Sequence, residues 1–524
     1  MNKIHHKVFS VLFAVLLMAT MWTMTVQAEE EKSPFTYEIV EGAVTITGCD
    51  KATEGALEIP STIDGKAVKT IGEGAFNGCS KLTAITIPDS VTAINGKAFY
   101  GCKGLSTITV PAAVATIGDD AFGECTKLTA IEVAESNAAY CDVDGVVFSK
   151  DMTRLVRFPV KHPATEYAIP NRVTTIGMRA FFGCAGLTNV TIPNSVTAIE
   201  NSAFHFCPGL TDVTLPASIT EIGFGLFSSC TGLVSVTIPN TVTVIGRNAF
   251  SQCEKLKSIV IPDSVTTIGG SAFSGCTSLS KLEIPASVTE IGDSAFSHCS
   301  GLTQMEIPDN VKTLGQRAFM RCENLRSVTL GTGVTTIERE TFLFCWKLNS
   351  VTLSENVKAI GDYAFHYCPA LASITLPAKA KALGHGAFAG CESLTEVVIP
   401  DGVTVLKGSL FRDCTKLAKV TLPDSLTTVR LSAFSGCKNL KNVQYAGSSE
   451  DRTYITMEGE NLPLINADWE YIGGEGEKVE NKASFKHKET SSSGGVMKKV
   501  LLYGGVFVAA IAAFVLLLRK KSKS

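Results

Sequence analysis

The sequence is poor in everything a metal or a reaction centre needs. No C-x-x-C and no H-x-x-x-H pair occurs in its 524 residues, and tetrahedral zinc requires ligands that converge from different directions. No Ser-His-Asp set, glycine-rich phosphate loop or pair of carboxylates at a strand end stands out, so hydrolytic, phosphoryl-transfer and acid–base chemistry have no candidate centre. Asp142-Val-Asp144-Gly145 has the start of a calcium loop but lacks its third acidic position and distal glutamate, and reads better as a hairpin turn. Charge of one sign is also missing: 47 Lys and Arg stand against 50 Asp and Glu, a net charge of −3 with no basic stripe, so nucleic acid is not an expected partner. No L-P-x-T-G signal occurs, which argues against covalent attachment to a Gram-positive wall. Neither an enzyme nor a cofactor is expected from these absences.

What the chain does have is a comb of cysteines. Cys79, Cys102 and Cys125 are 23 residues apart, and after one longer step the same interval runs from Cys184 to Cys437. Phenylalanine stands three residues before each of these cysteines and leucine three after, as in Phe181-x-x-Cys184-x-x-Leu187. The unit reads A-F-x-x-C-x-x-L-x-x-[IV]-x-[IL]-P-x-x-V-x-x-I-G-x-x. Its alternating pair, as in Val190-Thr-Ile192, has the two-residue period of a strand with one buried face. The proline after it, Pro193, has no N–H to give to a ladder and ends the strand. Val196-Thr-Ala-Ile199 makes a second extended stretch, and the glycine that usually follows permits a bend. A lone unit buries about seven side chains worth about 2 kcal/mol each, less than the ordering cost of its backbone at about 1–2 kcal/mol per residue. Units therefore have to stack, with caps at both ends.

The repeated unit resembles the BspA-like leucine-rich repeat of bacterial and some protist surface proteins, and the resemblance covers roughly Tyr37 to Ile472. It implies a repeat solenoid, curved, with the Leu-x-x-Val-x-Ile segments as a parallel β-sheet on the concave face and short extended or turn segments on the convex side. It transfers no catalytic motif, and it implies an adhesin or surface-interaction protein.

Departures from the period set the expected organisation. The step from Cys125 to Cys184 is 59 residues, so one extended repeat near 134–166 carries 13 additional residues. Tyr140 to Pro159 reads there as two strands about a polar turn near Ser149 to Met152, a projecting hairpin. Residues 29–70 suit an N-terminal cap, 71–445 the solenoid and 446–472 a C-terminal cap covering ends that would otherwise pair with another chain. Lys3 and Lys7 before the apolar run from Val8 to Met18, with Val26-Gln27-Ala28 after it, read as a signal peptide over 1–28. Residues 473–499 read as a flexible stalk. Val500 to Leu518 carry no charge and read as one C-terminal transmembrane helix, followed by a basic cytoplasmic tail over 519–524. The expected location is the cell membrane, single-pass, with the repeats outside and the membrane as one partner.

One cysteine per stacked coil spaces equivalent Cβ atoms at about 4.8 Å, beyond the usual reach of a bridge, so the comb is read as a buried column of thiols. Cys49 and Cys141 lie off it and could pair only if the N-terminal cap met the hairpin. Two surfaces are candidates for an extracellular protein or glycan ligand. On the outward side of the sheet, Thr191, Thr214 and Thr237 continue a register that begins at Thr86 and is interrupted by Glu132, Glu283 and Glu306. Threonine simply suits an exposed strand, but the row also offers hydrogen bonds to a glycan or extended chain. Beside the comb, Phe182, His205, Phe206, Phe344, Trp346, His366 and Tyr367 replace the small or charged residues of other units. Aromatic side chains concentrate at contact hot spots, although packing against the next coil is the competing account. The leading expectation is a membrane-anchored adhesin or interaction scaffold. The alternatives are a sensor ectodomain acting through a membrane partner, its own tail being only six residues, and a cell-wall enzyme or processing factor for which no residue set speaks.

Overall fold

Each 23-residue unit closes one coil whose neighbours are joined on three sides. The computed structural model describes residues 33–473, all within one unit of the chain. On the first side, Asp212–Thr214 and Ser235–Thr237 run parallel, with Val213 opposite Val236 and Thr214 opposite Thr237. The central valine of each points into the core and its two neighbours point out, as the strand period requires. On the second side, Glu221–Ile222, Val244–Ile245, Thr267–Ile268, Glu290–Ile291 and Thr313–Leu314 form an unbroken parallel ladder. The prolines separate the two sides: the Pro239 carbonyl accepts from the Val242 N–H at 3.1 Å and closes the corner.

The third side is built by the Ala-Phe-x-x-Cys segment, which turns tightly yet still reaches the next coil. The Phe250 N–H donates to Ala272 O at 2.7 Å and the Gln252 N–H to Ser274 O at 2.7 Å. Two left-handed residues per coil make this possible, such as Asn248 with φ 57° and Gln252 with φ 62°. The backbone thus alternates between donating outward and turning inward.

Between the three sides lies the core. The comb phenylalanines stack in two columns, Phe76 to Phe122 and Phe158 to Phe434, with centroids 4.9–5.8 Å apart. Such offset pairs add about 0.5–1.5 kcal/mol each to the burial of the rings. Beside them the fifteen comb cysteines are buried, and none is bridged. Their thiols are not idle. From Cys102 on, Cys184 excepted, each S–H donates to the carbonyl of the phenylalanine one coil earlier at 3.0–3.3 Å. Burial holds the Cys253, Cys276 and Cys299 thiols well above the ordinary range. The serines in the register of Ser195 tie coils together, its Oγ donating to Val173 O at 2.8 Å.

The inserted residues form three strands, Tyr140–Val143, Val146–Ser149 and Arg154–Arg157, joined antiparallel. The two strands expected about a turn near Ser149 to Met152 are there, as Val146–Ser149 and Arg154–Arg157, but they do not project. Val146, Val147, Phe148 and Leu155 are fully buried, and Arg154–Arg157 pairs parallel with Thr175–Ile176, so the insertion is a section of the wall. Phe158 takes the comb position one coil before Phe181, 5.1 Å from its ring.

At the start, Phe35–Val40 pairs antiparallel with Ala43–Cys49, which leads parallel into Lys66–Ile71. At the far end, Asp468–Tyr471 adds a last parallel strand to Asn442–Tyr445. Two short helices, Ser449–Arg452 and Leu462–Ile465, cover that end, with the Arg452 guanidinium 4.1 Å above the Trp469 ring.

The expected fold class needs one correction. The solenoid with parallel strands is present, but the C-terminal transmembrane helix is withdrawn from the fold: among the described residues no helix is long and apolar enough to cross a membrane. The span expected at 500–518 lies outside the described residues, as do the signal peptide over 1–28, the basic tail and, apart from Gly473, the stalk.

Candidate functional site

The aromatic residues beside the comb fall into two groups on successive coils. In the first, Phe182 and His205 stack 5.4 Å apart and 8° from parallel, with the Arg179 guanidinium 5.4 Å from the Phe182 ring. Phe182 is buried, so this pair is mostly internal packing, whereas Phe206 beside it is 53% exposed. In the second, Phe344 and Tyr367 stack at 5.4 Å and 14°, with the Arg321 guanidinium 5.2 Å from the Phe344 ring. His366 lies 4.4 Å from Tyr367 and takes Ala389 O as a hydrogen-bond partner of its Nδ1 at 2.9 Å. Trp346 is 49% exposed and Tyr367 46%. Desolvation lowers the His205 and His366 pKa values, so both imidazoles are kept neutral against the rings.

Three of these residues occupy a left-handed position that recurs in every coil with a comb cysteine. Phe206, Phe344 and Tyr367 stand immediately before a comb cysteine, with φ of 58°, 61° and 53°. Gly78, Gly101, Gly183, Gly275, Gly390 and Gly436 fill the same place in other coils, also with positive φ. A bulky residue there is uncommon and costs about 1–2 kcal/mol relative to the right-handed region. Arg321 shares the position, with φ 57°, so Arg321, Phe344 and Tyr367 form one column across three successive coils. The column ends on Gly390: a Cβ there would come within 2.9 Å of the Tyr367 ring.

Threonine on the sheet is placed as its register requires. Thr191, Thr214 and Thr237 are exposed, and Thr329 lies opposite Thr352. The same row, however, contains Val260 and Val398, 81% and 61% exposed, and Glu283 and Glu306. It presents no single chemistry along its length.

A third feature escaped the sequence reading. Where the insertion meets the preceding coils, a cavity of about 290 Å³ is lined by Asp119, Asp120, Tyr140, Ser149, Arg154 and Met178 among others. Arg154 holds Glu200 in a two-point bridge at 2.6 Å each, and Arg179 pairs with Asp120. The second Asp120 carboxylate oxygen, Oδ1, is buried without a hydrogen-bond partner. The only sequence signal was the insertion itself, which brings residues 20 to 60 positions apart to one place. No cluster of metal-ligating side chains occurs among the described residues.

Comparison with known proteins follows the repeat. The family model described as the BspA type leucine-rich repeat region matches in six copies, over residues 54–154, 157–280, 243–371 and 358–457. A leucine-rich repeat protein of Bacteroides ovatus is similar at 28% identity and a TM-score of 0.50, over 85% of this chain and all of that one. A leucine-rich cell surface protein of Faecalibacterium prausnitzii has 26% identity and a TM-score of 0.39, over 82% of this chain and 97% of its own. No curated protein matches.

Proposed function

The chain belongs to the BspA-type leucine-rich repeat family, and on that premise of an interaction scaffold we propose that it is an adhesin whose aromatic column binds a protein or glycan ligand outside the cell. The observation that carries this is the exposure of large aromatic side chains beside the comb. Aromatic side chains that stood in a core would be compensated by burial, but Phe206 and Tyr367 are half-exposed at positions where glycine costs nothing. Retaining them brings the chain surface rather than stability, and flat, rigid rings beside a guanidinium are what contact hot spots are made of.

The ligand meets Arg321, Phe344, Trp346, His366 and Tyr367 as its main patch, and Phe206 as a second. Location outside the cell is supported by the charged and then apolar start of the chain, Lys3 and Lys7 before Val8 to Met18. The threonine row serves as the outer skin of the sheet. Binding of the purified chain to immobilised matrix proteins and to arrayed glycans tests the reading. Replacing Phe344 and Tyr367 by Gly and Trp346 by Ala together abolishes binding with the unfolding midpoint retained. Full binding by that triple variant would overturn it.

A further inference from the structure

Phe206 and Phe344 stand in one register of the third side, six coils apart. Midway between them the face is small, hydroxylated and uncharged. Its two left-handed positions and the residue before the second of them hold Asn248, Ser251 and Gln252 in one coil and Ser271, Ser274 and Gly275 in the next. Ser251, Ser271 and Ser274 are half-buried, and their hydroxyls make no hydrogen bond among the described residues. The threonines of the second side differ: Thr243 Oγ1 donates to Thr220 O and Thr266 Oγ1 to Thr243 O, at 3.4 and 3.3 Å. Those hydroxyls are spent on the wall, whereas the serine hydroxyls are left for a partner. Charge at the two aromatic ends is largely neutralised within the chain, with Arg179 on Asp120, and Arg317 and Arg339 on Glu340.

We propose that this face is one continuous track for a neutral, extended glycan, a chain of equatorially linked pyranoses laid along the stack of coils with one end on Phe206 and the other on Phe344 and Tyr367. The proposal rests on the reading of the aromatic column as a ligand surface and names the class of ligand. The C–H face of a pyranose is apolar and packs on an aromatic ring, while its hydroxyls donate to and accept from serine, asparagine and glutamine. A charged polymer finds no opposite field at the middle positions.

Spacing favours a glycan over a peptide. The coils under the track are 5.3–5.6 Å apart, measured between their phenylalanine rings. One pyranose of an extended chain is about as long as one coil is high, so successive sugars meet successive coils in the same way. An extended peptide advances about 3.3 Å per residue and falls out of step with the coils. Nor can a peptide add itself here as a further strand, because the backbone is already engaged: the Gln252 N–H donates to Ser274 O at 2.7 Å and the Ser251 N–H to Asn248 O at 3.1 Å. Side chains alone are on offer, and they repeat at the period of a sugar.

Calorimetric titration of the full chain with β-1,4-linked oligomers of glucose, mannose, xylose and N-acetylglucosamine, from dimer to octamer, tests the track. The affinity for at least one series rises by about tenfold or more between tetramer and heptamer and then levels off, because the longer chain reaches both aromatic ends at once. Oligomers of α-1,4-linked glucose, which coil, show no such rise. In Phe206→Gly the heptamer binds no better than the tetramer, and Ser251→Ala with Ser274→Ala weakens the heptamer several-fold, each with the unfolding midpoint retained. An affinity that does not change with length, a rise that survives Phe206→Gly, or an equal rise with the α-linked chains would overturn the track while leaving the column as a site for a short ligand. Failure of every series to bind would overturn it too, and binding to immobilised matrix proteins, lost in the triple variant at Phe344, Trp346 and Tyr367, would then show the column working on a protein instead.

Discussion

The rings of Phe344 and Tyr367 stack 5.4 Å apart from two consecutive left-handed turns, a conformation in which neither residue is at ease. Removing Tyr367 should therefore cost little. Tyr367→Gly gives up a half-exposed stack worth about 0.5–1.5 kcal/mol but relieves about 1–2 kcal/mol of backbone strain. The net change is within about 1 kcal/mol of zero. Phe365→Ala, two residues away in the buried column, costs about 3–5 kcal/mol. Denaturant unfolding of the two variants side by side checks the contrast. A Tyr367→Gly loss as large as that of Phe365→Ala would make the column structural.

Reactivity should divide the cysteines sharply. In the native chain Cys276 and its neighbours are buried, and each S–H is engaged with a carbonyl, so a thiol reagent reaches them only through unfolding. Cys49 labels first. Time-resolved alkylation followed by peptide mapping gives the order, and rapid labelling of the mid-comb sulfurs would contradict the thiol ladder.

Coils approach closely at the glycine that follows the second side. A Cβ on Gly384 would collide with Gly361 C and Asp362 N of the preceding coil. Gly384→Val therefore forces the coils apart and costs more than about 3 kcal/mol. Hydrogen exchange reads the change as lost protection at Ala382–Leu383 and its partner Ala359–Ile360.

Acid should loosen the coils that carry half-buried histidine. Burial first, and then the Arg179 charge, lower the His205 pKa; burial lowers that of His366 against the pull of its Ala389 contact. The unfolded chain then binds protons at a higher pH than the folded one, so stability is full above the ordinary histidine value of about 6.5 and declines as pH falls below it toward the folded values. Unfolding midpoints at about pH 7.5 and about pH 5.5 show the decline, and His205→Gln with His366→Gln reduces it. An unchanged slope in that double variant would move the effect elsewhere.

Much of this was legible in the chain because the repeat is strict. The comb placed the core phenylalanines and the two strand registers, and Ser195 fell where its hydroxyl could meet a carbonyl. What escaped was conformation that side-chain identity conceals. The left-handed position before each comb cysteine holds Gly in six coils but Glu, Asp, Ser, Gln, His, Arg, Phe or Tyr in the others, so its constraint shows only when all coils are aligned. Phe158 was hidden because Lys161 stands where its cysteine belongs, although it lies 23 residues before Phe181. The insertion read as projecting because its turn residues are polar. Its buried valines outweigh them, and the strands fold into the wall. The aromatic residues beside the comb could be picked out as a set, but which are exposed depends on a one-residue offset from the comb that composition cannot weigh.

The strand Val146–Ser149 belongs to two interiors at once. Val147 joins the apolar cluster that begins at Val44, whereas Val146 and Phe148 join the one that continues to Trp469. It acts as a party wall. A disturbance that strips the coils on one side exposes only every second residue of this strand, and its hydrogen-bonded neighbours hold it in place from the other. Damage that enters from either terminus accordingly meets a firebreak there, and a chain nicked or frayed in its first hundred residues can keep the aromatic column on the far side intact.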